Sequence, residues 1–553
     1  MNKHNFSHVS SIIFSFALVS LFSISFINAQ NLAFPGAEGF GAYAQGGRGG
    51  DVYTVTNLND SGLGSFRYGI QSADGPRTIV FAVSGLIKLN STLKVDKDYI
   101  TIAGQTAPGD GVCLRDAAFE IKADHVIVRY IRSRLGDEAG KESDAISITS
   151  GHNVILDHCS ASWSVDECFS CSTGDKGRID SITVQWSIIS EALNNSIHSK
   201  GAHSYGALIR GCYGAKYSYH HNLFAHNRSR NPRPGNYDDN NYLIDTLGLQ
   251  FDYRNNVMYN WDGSRPGYDA DSESICRYNY VGNYGKPGPD SNNSGYAYKA
   301  GSKYFQAFYS GNYFFGSIPE NQWSLVDFSG SWSATELNAY KQSQPFSTGP
   351  IETESAQNAF DNVMAHAGAS YVRDVVDLRV IEEVQNGTGS IIDDEDEVGS
   401  WPVYNTYGEK ADSDLDGMPD DWETENGLNW EDPEDRNGDL NNDGYTNLET
   451  YLNSLIHINP VSATKTDLKE VIAFQCYPNP NNGEFTVKFD SEFKSDLTLK
   501  LFNASGQIIE VREVESTGVI LTEQFEISSL SKGIYYLIIL SDKYRRSEKI
   551  VVY

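Results

Sequence analysis

The sequence predicts an all-β protein whose largest part is a right-handed parallel β-helix. Residues 150–315 are a succession of short segments rich in β-branched and aromatic residues, each bounded by polar turns. Equivalent positions recur after 28, 35, 34, 27 and 29 residues, at Cys159, Ser187, Asn222, Asn256, Asn283 and Asn312. An uneven repeat of strand-sized units without helical periodicity is typical of a solenoid with loops of variable length. A β-sandwich is the alternative.

The recurring asparagine has a physical role in such a solenoid. Asparagine tolerates the left-handed backbone conformation of a tight turn, and its side-chain amide can bond to the amide of the next coil. We therefore expect the repeated asparagines to stack at one turn of successive coils.

The first residues predict export. An apolar stretch from 12 to 27 follows a weakly basic start, and Ala29 offers a small residue for cleavage before Gln30. We interpret residues 1–29 as a secretory signal peptide. Later runs of the sequence are too short to cross a bilayer, so we expect an exported, soluble protein without a membrane span.

The negative charge is concentrated in one segment. The chain carries a formal net charge of −29. Residues 393–449 hold 20 acidic and two basic residues, so this segment alone contributes −18. The rest of the chain is closer to neutral and has no broad basic stripe, which disfavours nucleic-acid binding.

An arginine cluster stands out against this acidic background. Arg228, Arg230 and Arg233 lie within six residues, directly after a strand-like segment. Arginine stays charged at ordinary pH and presents a rigid fork of donors, so the cluster predicts a site for an anion. A solvated basic loop is the alternative.

Several motifs follow one another along the chain: Ala33–Gly41, Gly46–Gly50, Val55–Arg67, Gly85, Gly104–Pro108, Asp157–His158 and the Ser229-Arg230-x-Pro232 element. In their residues and their order these motifs resemble polysaccharide lyase family 1, the pectate lyases. The likeness runs from about residue 31 to about residue 390. It implies a right-handed parallel β-helix for a domain that we assign to residues 30–390.

The resemblance also implies roles for individual residues. In the family the arginine of the last element is the catalytic base, which here is Arg230. Lys200, His203 and Arg233 are candidates for binding the carboxylates of the substrate. For Lys200 and His203 a solvated loop is the alternative.

The resemblance further implies Ca²⁺ as the cofactor, with Glu142, Asp144 and Asp166 as its ligands. If they lie on a strand, Glu142 and Asp144 point to the same side, because the strand period is two. The family often places another acid where this sequence has Ser162. Ca²⁺ would then have fewer protein ligands, or water or Glu167 would take the remaining position.

An acidic linker is predicted at residues 391–411, followed by a calcium-binding module at residues 412–456. The module begins with the spacing of an EF-hand loop, with oxygen ligands at positions 1, 3, 5, 9 and 12 and Gly417 at position 6. These ligands are Asp412, Asp414, Asp416, Asp420 and Glu423. We expect Ca²⁺ to order the segment and to turn a tether into a compact spacer. A disordered acidic linker is the alternative.

A second loop starts at Asp439 in the same way. Its twelfth position is Thr450, with Glu449 one residue early, so its ligand pattern is incomplete. The pair of loops resembles dockerin-like or thrombospondin-type calcium repeats.

The final segment, residues 466–553, predicts a small β-sandwich of strands separated by turns. Its motifs include Tyr477-Pro-Asn-Pro480 and Gly533-Ile-Tyr535. They resemble the C-terminal sorting domain of the type IX secretion system of Bacteroidota. The resemblance implies that machinery as a partner, and a secreted protein that is extracellular or at the cell surface.

Together these features predict a secreted, calcium-dependent pectate lyase that cleaves polygalacturonate-type pectin by β-elimination. The expected partner is anionic pectic polysaccharide, and we expect a monomer. One alternative is a galacturonan hydrolase, which needs two or three carboxylates spaced across the scissile bond. Another is a non-catalytic, glycan-binding β-helix. An unsaturated product that absorbs ultraviolet light distinguishes a lyase from both.

Overall fold

The structure is a computed structural model. It describes residues 31–172, 178–237, 242–263, 265–292, 295–328, 330–456, 474–489, 497–503, 508–514, 522–526, 532–540 and 545–553. The predicted signal peptide and the first residues of the predicted sorting domain lie outside these ranges.

Two long parallel sheets form most of a β-helix. The strands of the first sheet are Asp51–Val55, Arg77–Phe81, Ile100–Ala103, Val126–Arg129, Ile146–Asp157, Ile179–Gln185, Ala215–His220, Leu249–Arg254, Cys276–Val281 and Gln306–Ser310. The strands of the second sheet are Gly85–Lys88, Val112–Arg115, Arg132–Arg134, Ser160–Ser162, Ile188–Ser190, Leu223–Ala225, Val257–Tyr259, Tyr284–Lys286 and Tyr313–Phe314. Neighbouring strands pair in parallel in both sheets. The parallel β-helix is confirmed, and the β-sandwich alternative is wrong for this part of the chain.

A third parallel sheet completes the coils. Its strands are Leu93–Val95, Phe119–Lys122, the first half of Ile146–Asp157, Phe169–Ser172, Leu208–Arg210 and Arg233–Gly235. A small separate sheet of later coils contains Gly267–Tyr268, Tyr298–Lys299 and Val326–Asp327. The strand Ile146–Asp157 bends from the third sheet into the first, because its two halves pair with different neighbours.

The predicted stack of equivalent residues exists as a ladder of hydrogen bonds. The turn ladder consists of Cys159, Ser187, Asn222, Asn256, Asn283 and Asn312, all fully buried. Each backbone N–H donates to the side-chain oxygen of the next member, over 2.9–3.1 Å. The asparagine amide groups also donate backwards, as Asn256 does to the carbonyl of Tyr219 over 2.8 Å. The ladder therefore satisfies backbone groups at the buried turns of the six coils that it joins.

Aromatic rings fill the interior of the later coils. Tyr253 stacks on Tyr280 with 5.5 Å between ring centroids, and Tyr280 stacks on Tyr309 over 4.8 Å. All three side chains are buried. Offset stacking of this kind adds to the gain from burying apolar area, so each coil supports the next.

Short helices lie outside the coils. The α-helices are Phe66–Gln71, Ala334–Tyr340, Ala356–His366, Val375–Asn386, Asp420–Asn426 and Asn447–Ser454. The 3₁₀ helices are Gly104–Thr106, Gln322–Leu325, Ser370–Val372, Glu395–Val398 and Asp435–Asn437. Helices Ala356–His366 and Val375–Asn386 bury Val363, Val380 and Val384 against the second sheet.

Residues 391–411 do not form the predicted linker. Ile392 and Glu395 are buried. The indole nitrogen of Trp401 donates to the carbonyl of Arg134 over 3.0 Å, and the hydroxyl of Tyr404 donates to Asp374 over 2.6 Å. Aromatic side chains among the acids hold this segment along the β-helix, which corrects the prediction.

The acidic module at 412–456 is likewise packed against the β-helix. Its apolar residues form a buried cluster with the outer face of the first sheet, made of Met418, Leu448, Tyr451, Leu452, Val80 and Ala103. An ion pair of 2.8 Å between Arg48 and Glu449 lies beside this cluster. The module is therefore not a free-standing spacer, because the charge density of the segment concealed an apolar face; that Ca²⁺ orders the module stays a prediction.

The C-terminal residues form two antiparallel sheets. One contains Phe474–Tyr477, Glu484–Phe489 and Thr522–Glu526, and the other contains Ile508–Val514, Leu497–Asn503, Gly533–Leu540 and Arg545–Val552. Buried side chains of both sheets form one cluster, as a sandwich requires.

The turn ladder predicts a stability effect. Asn256→Ala should lower the free energy of unfolding by about 2–4 kcal/mol, because the Asn222 N–H and the Tyr219 carbonyl then lose their buried partner. Thermal unfolding by calorimetry checks this. Asn358→Ala, at an exposed helix position, is the control and should change stability little. Equal melting temperatures for both variants would contradict the ladder's role.

Candidate active site

The parallel register brings four segments of the chain together at the edge of the third sheet. Glu167 pairs with Tyr205, and Tyr205 pairs with Ser229, through parallel backbone bridges. One coil earlier, a carboxylate oxygen of Asp144 accepts the N–H of Glu167 over 3.2 Å. Residues far apart in sequence therefore face each other across neighbouring coils.

Arg230 lies at the centre of this region. Its backbone is left-handed, with φ of 61°, directly after the bridge at Ser229. The guanidinium lies 3.7 Å above the ring of Tyr205 and forms an ion pair with the buried carboxylate of Glu167. Burial lowers the pKa of Arg230 below its ordinary value; Tyr268 opposes this shift and the nearby charge of Arg233 adds to it.

Three carboxylates meet beside Arg230. Asp144, Asp166 and Glu167 each offer an oxygen, and these oxygens lie within 4.8 Å of one another. Burial and the charge of Asp166 raise the pKa of Asp144 to about 8. Carboxylate oxygens are the ligands that Ca²⁺ prefers, so the donor set fits this ion.

Glu142 lies outside this carboxylate cluster. It is exposed, and its carboxylate accepts the hydroxyl of Ser199 over 2.8 Å. The neighbouring strand begins only at Ile146, so the period-two argument that aligned Glu142 with Asp144 is wrong. Ser162, at the position where the family often has an acid, is buried in the second sheet, and its hydroxyl oxygen lies 3.2 Å from that of Ser190.

Two histidines flank the cluster. The rings of His198 and His203 stack with 3.4 Å between centroids. Their Nε2 atoms lie 3.9 and 3.8 Å from the carboxylate of Asp166. The Nδ1–H of His203 donates to the carbonyl of Gly201 over 2.8 Å. His203 is thus beside the carboxylate cluster, and its partner His198 was missed although it lies in the same short loop.

The two other predicted substrate-binding residues differ in their surroundings. Lys200 is exposed, and its backbone N–H donates to Nδ1 of His198 over 3.1 Å. Arg233 is mostly buried and donates to the carbonyl of Ala270 over 2.7 Å and to Asp271 over 3.2 Å. Arg233 lies near Arg230, since their charges interact.

Curated relatives match most of the chain. Probable pectate lyase C of Aspergillus terreus is 37% identical over 449 residues, which are 80% of this chain and 98% of the relative. The chain belongs to the pectate lyase family. Probable pectate lyase C of Aspergillus fumigatus is 38% identical over 448 residues, covering 79% of this chain and 97% of the relative. Membership confirms the prediction of a polysaccharide lyase.

A solved structure and a family model add to this comparison. The crystal structure of Jun a 1, the major allergen from cedar pollen, has 18% identity and a TM-score of 0.38, and covers 60% of this chain and 92% of that chain. Residues 475–553 match the family of secretion system C-terminal sorting domains. This match confirms the predicted sorting domain and, with the relatives, identifies a secreted lyase. Among the residues described, each helix is too short or too polar to be a candidate membrane span.

The lyase carries a second group of carboxylates in its acidic module. Asp412, Asp414 and Asp416 offer oxygens within 4.8 Å of one another, and Asp416 does the same with Glu423 and Asp435. Asp435 was missed, because it lies beyond the twelve-residue loop that the sequence pattern covers.

Glu423 is the buried member of this group. It is fully buried, and neither of its carboxylate oxygens has a hydrogen-bond partner among the described residues. Burial, followed by the charge of Asp416, raises the pKa of Glu423 to about 8. An unpartnered buried carboxylate aimed at other carboxylates indicates a place for a cation.

Two expected ligands of the module point elsewhere. The carboxylate of Asp420 accepts the N–H and the hydroxyl of Ser413 over 2.7 and 2.8 Å. In the second loop, Glu449 is paired with Arg48. The second loop otherwise folds like the first: Asp439 accepts the N–H groups of Asp443 and Gly444, as Asp412 accepts those of Asp416 and Gly417.

The support of Arg230 by an aromatic ring can be tested on the lyase. Tyr205→Leu should lower kcat/KM by about 100-fold, because the guanidinium loses the surface that positions it. Tyr205→Phe keeps the ring and should retain most activity. Steady-state kinetics and circular dichroism of both variants check this. Wild-type kinetics for Tyr205→Leu would show that the ring does not position Arg230.

Proposed function

We propose that this lyase is an extracellular, calcium-dependent pectate lyase that cleaves polygalacturonate-type pectin by β-elimination. The observation that carries the proposal is the half-buried Arg230 beside the carboxylate cluster of Asp144, Asp166 and Glu167. The lowered pKa of Arg230 favours its action as a base. The pectate lyases among its relatives support the substrate class.

The reaction removes the proton at C5 of a galacturonate unit, which is alpha to a carboxylate. Bound Ca²⁺ would neutralise that carboxylate and stabilise the negative charge that develops on it. In its neutral form Arg230 accepts the C5 proton on a guanidine nitrogen, the C4–O bond breaks with the electron pair on oxygen, which takes a proton from water, and a C4–C5 double bond forms. Lys200, His203 and Arg233 are the candidates for holding substrate carboxylates.

The hydrolase alternative fits the geometry less well. Glycoside hydrolases separate their carboxylates by about 5–5.5 Å or about 6.5–9.5 Å, on either side of the scissile bond. Here one oxygen from each of the three carboxylates lies within 4.8 Å of the others. Such crowding favours a shared cation over an acid and base pair.

We also propose a structural calcium site in the acidic module, formed by Asp412, Asp414, Asp416, Glu423 and Asp435. The backbone carbonyl of Met418 would also bind this ion, because Met418 occupies the seventh position of the loop. The side chain of Met418 is buried against the β-helix. Ca²⁺ there would stabilise the packing of the module. The type IX secretion machinery is the proposed partner of the sorting domain.

Arg230→Lys tests the base. It should keep the fold and lower kcat by about 10²–10⁴-fold, since a lysine ammonium cannot reproduce the placed guanidine nitrogen. Formation of unsaturated product from polygalacturonate, followed by ultraviolet absorbance, measures this. Arg228→Lys is the matched control, because that guanidinium is bound to Asp262 over 2.9 Å. Retention of full activity by Arg230→Lys would remove the assignment.

The calcium ligands can be separated by two substitutions. Asp166→Asn should raise the Ca²⁺ concentration for half-maximal activity by at least about tenfold, because a charged ligand is lost. Glu142→Gln should change it little, because Glu142 faces Ser199. Titration of chelator-treated enzyme with Ca²⁺ checks both. If Glu142→Gln raised the Ca²⁺ requirement more than Asp166→Asn did, Glu142 would be a calcium ligand, as the sequence predicted.

Glu423→Gln tests the module site. In Ca²⁺ the variant should be less stable than the wild type, by up to about 2.7 kcal/mol at a concentration 100 times Kd. In chelator at pH 8 it should be more stable, because the wild type then buries an uncompensated charge. Because the pKa of Glu423 rises from 4.5 to about 8 on folding, the metal-free wild type takes up a proton when it folds between these pH values. Its stability therefore falls as the pH rises from 4.5 to about 8.

Melting temperatures of Glu423→Gln in Ca²⁺ and in chelator, at pH 5 and pH 8, check this reversal. Glu425→Gln, an exposed neighbour, is the control. A variant that melts like the wild type in all four conditions would exclude a cation at Glu423.

A further inference from the structure

A cluster of histidines and glutamates lies outside both carboxylate groups, on the outer face of the first sheet. Three chain segments meet there. Glu38 comes from the N-terminal segment, His220 and His221 from the end of the strand Ala215–His220, and Glu354 from the segment before helix Ala356–His366. Both histidines are buried, while Glu38 is partly exposed.

The nitrogen and oxygen atoms of this cluster converge. The Nδ1 atoms of His220 and His221 lie 2.9 Å apart, and Glu38 Oε2 lies 3.9 Å from Nδ1 of His220. One ligand atom from each of these residues lies within 4.8 Å of the others. Two imidazole nitrogens and a carboxylate oxygen are a donor set that zinc accepts.

A further carboxylate orients one of the rings. Nε2 of His221 lies 3.0 Å from Oε1 of Glu354, and the other oxygen of Glu354 accepts Nδ2 of Asn362 over 2.6 Å. A carboxylate that takes the Nε2–H of a histidine leaves the lone pair on Nδ1, which here faces His220. Metal-binding histidines are commonly fixed in this way.

The nearest cationic side chain is already neutralised. Arg254, whose charge acts on His220, makes two bonds to the carboxylate of Asp252 over 2.6 and 2.7 Å. The cluster therefore offers two imidazoles and two carboxylates to a cation.

We propose that Glu38, His220 and His221 form a site for a borderline divalent cation such as Zn²⁺, with Glu354 orienting His221. Its nitrogen-rich donor set differs from the all-oxygen cluster beside Arg230, and imidazole suits transition metals where carboxylate oxygens suit Ca²⁺. A water molecule from the exposed side of Glu38 would complete the coordination.

The site would act as a clamp. The N-terminal segment lies on the first sheet, because the backbone N–H groups of Glu38 and Phe40 donate to side-chain oxygens of Gln185 and Ser218 over 3.0 and 3.2 Å. Gly39 donates to the carbonyl of Pro350 over 2.8 Å. A metal ion bound to Glu38 and the two histidines would link the N-terminal segment to the first sheet and stabilise the packing of that segment on the sheet.

The test uses full-length protein without a histidine tag, stripped with chelator and then saturated with Ca²⁺ to fill the oxygen sites. Calorimetric titration with Zn²⁺ should show one ion per chain, and excess Zn²⁺ should raise Tm by at least about 2 °C. Glu38→Gln should abolish both effects. Glu354→Gln, which keeps all three ligands, should weaken Zn²⁺ binding by about 10–100-fold. Glu320→Gln, at an exposed position outside the cluster, should leave both effects unchanged.

The other histidine group provides the decisive contrast. Asp166, His198 and His203 also place ligand atoms within 4.8 Å of one another. If His203→Asn removes the Zn²⁺ effects while Glu38→Gln retains them, the proposed site is wrong. Absence of stoichiometric Zn²⁺ binding by the wild type also overturns it, and means that the two histidines share a proton instead. If Glu38→Gln fails to fold, the response of Glu354→Gln decides.

Discussion

The hydrogen-bond ladder at one turn of the β-helix is the constraint on which the rest of this structure depends. Adjacent parallel strands lie about 4.8 Å apart, but nothing in that spacing fixes where each coil turns. The side chains of the turn ladder do so, because each accepts the backbone N–H of the coil before it. With the turns aligned, loops of different length leave the register intact. At the edge of the third sheet, backbone bridges align Glu167, Tyr205 and Ser229. This alignment places Arg230, which follows Ser229, beside the carboxylate of Glu167 from another coil.

The same rigid wall explains how an acidic protein comes to hold groups of carboxylates that its own cations do not neutralise. Asp144 and Glu423 both have pKa values raised to about 8, in each case first by burial and then by a neighbouring carboxylate. Arg230 pairs directly with Glu167 and opposes only part of the rise in the pKa of Asp144. A low-dielectric site of this kind stabilises an added cation more than water does. Charge that would destabilise a metal-free fold is therefore suited to the Ca²⁺ sites that we propose.

The sequence predicted the coil repeat because that repeat leaves a local signature, a buried asparagine at the equivalent turn of four successive coils. It also predicted Arg230, Asp144 and Asp166 as neighbours, since each lies in a motif of a recognisable family. It failed where tertiary structure decides. Glu142 was aligned with Asp144 on the assumption of a strand, but the strand begins at Ile146. Asp435 could not be found from loop spacing, because it enters the cluster from a separate 3₁₀ helix.

The packing of the acidic segment after residue 390 could not be predicted from its net charge. Its net charge suggested a tether, yet Tyr404 and Met418 are buried against the β-helix. The comparison with relatives agrees with this packing. A relative aligned over 449 residues, which is 80% of this chain, must match residues beyond 390 as well. Much of the acidic module therefore lies in the part of the chain that aligns with this relative, and residues 475–553 match the sorting-domain family. Any effect of Ca²⁺ on the module acts on a surface of the lyase itself, through the buried contact of Met418 with the first sheet.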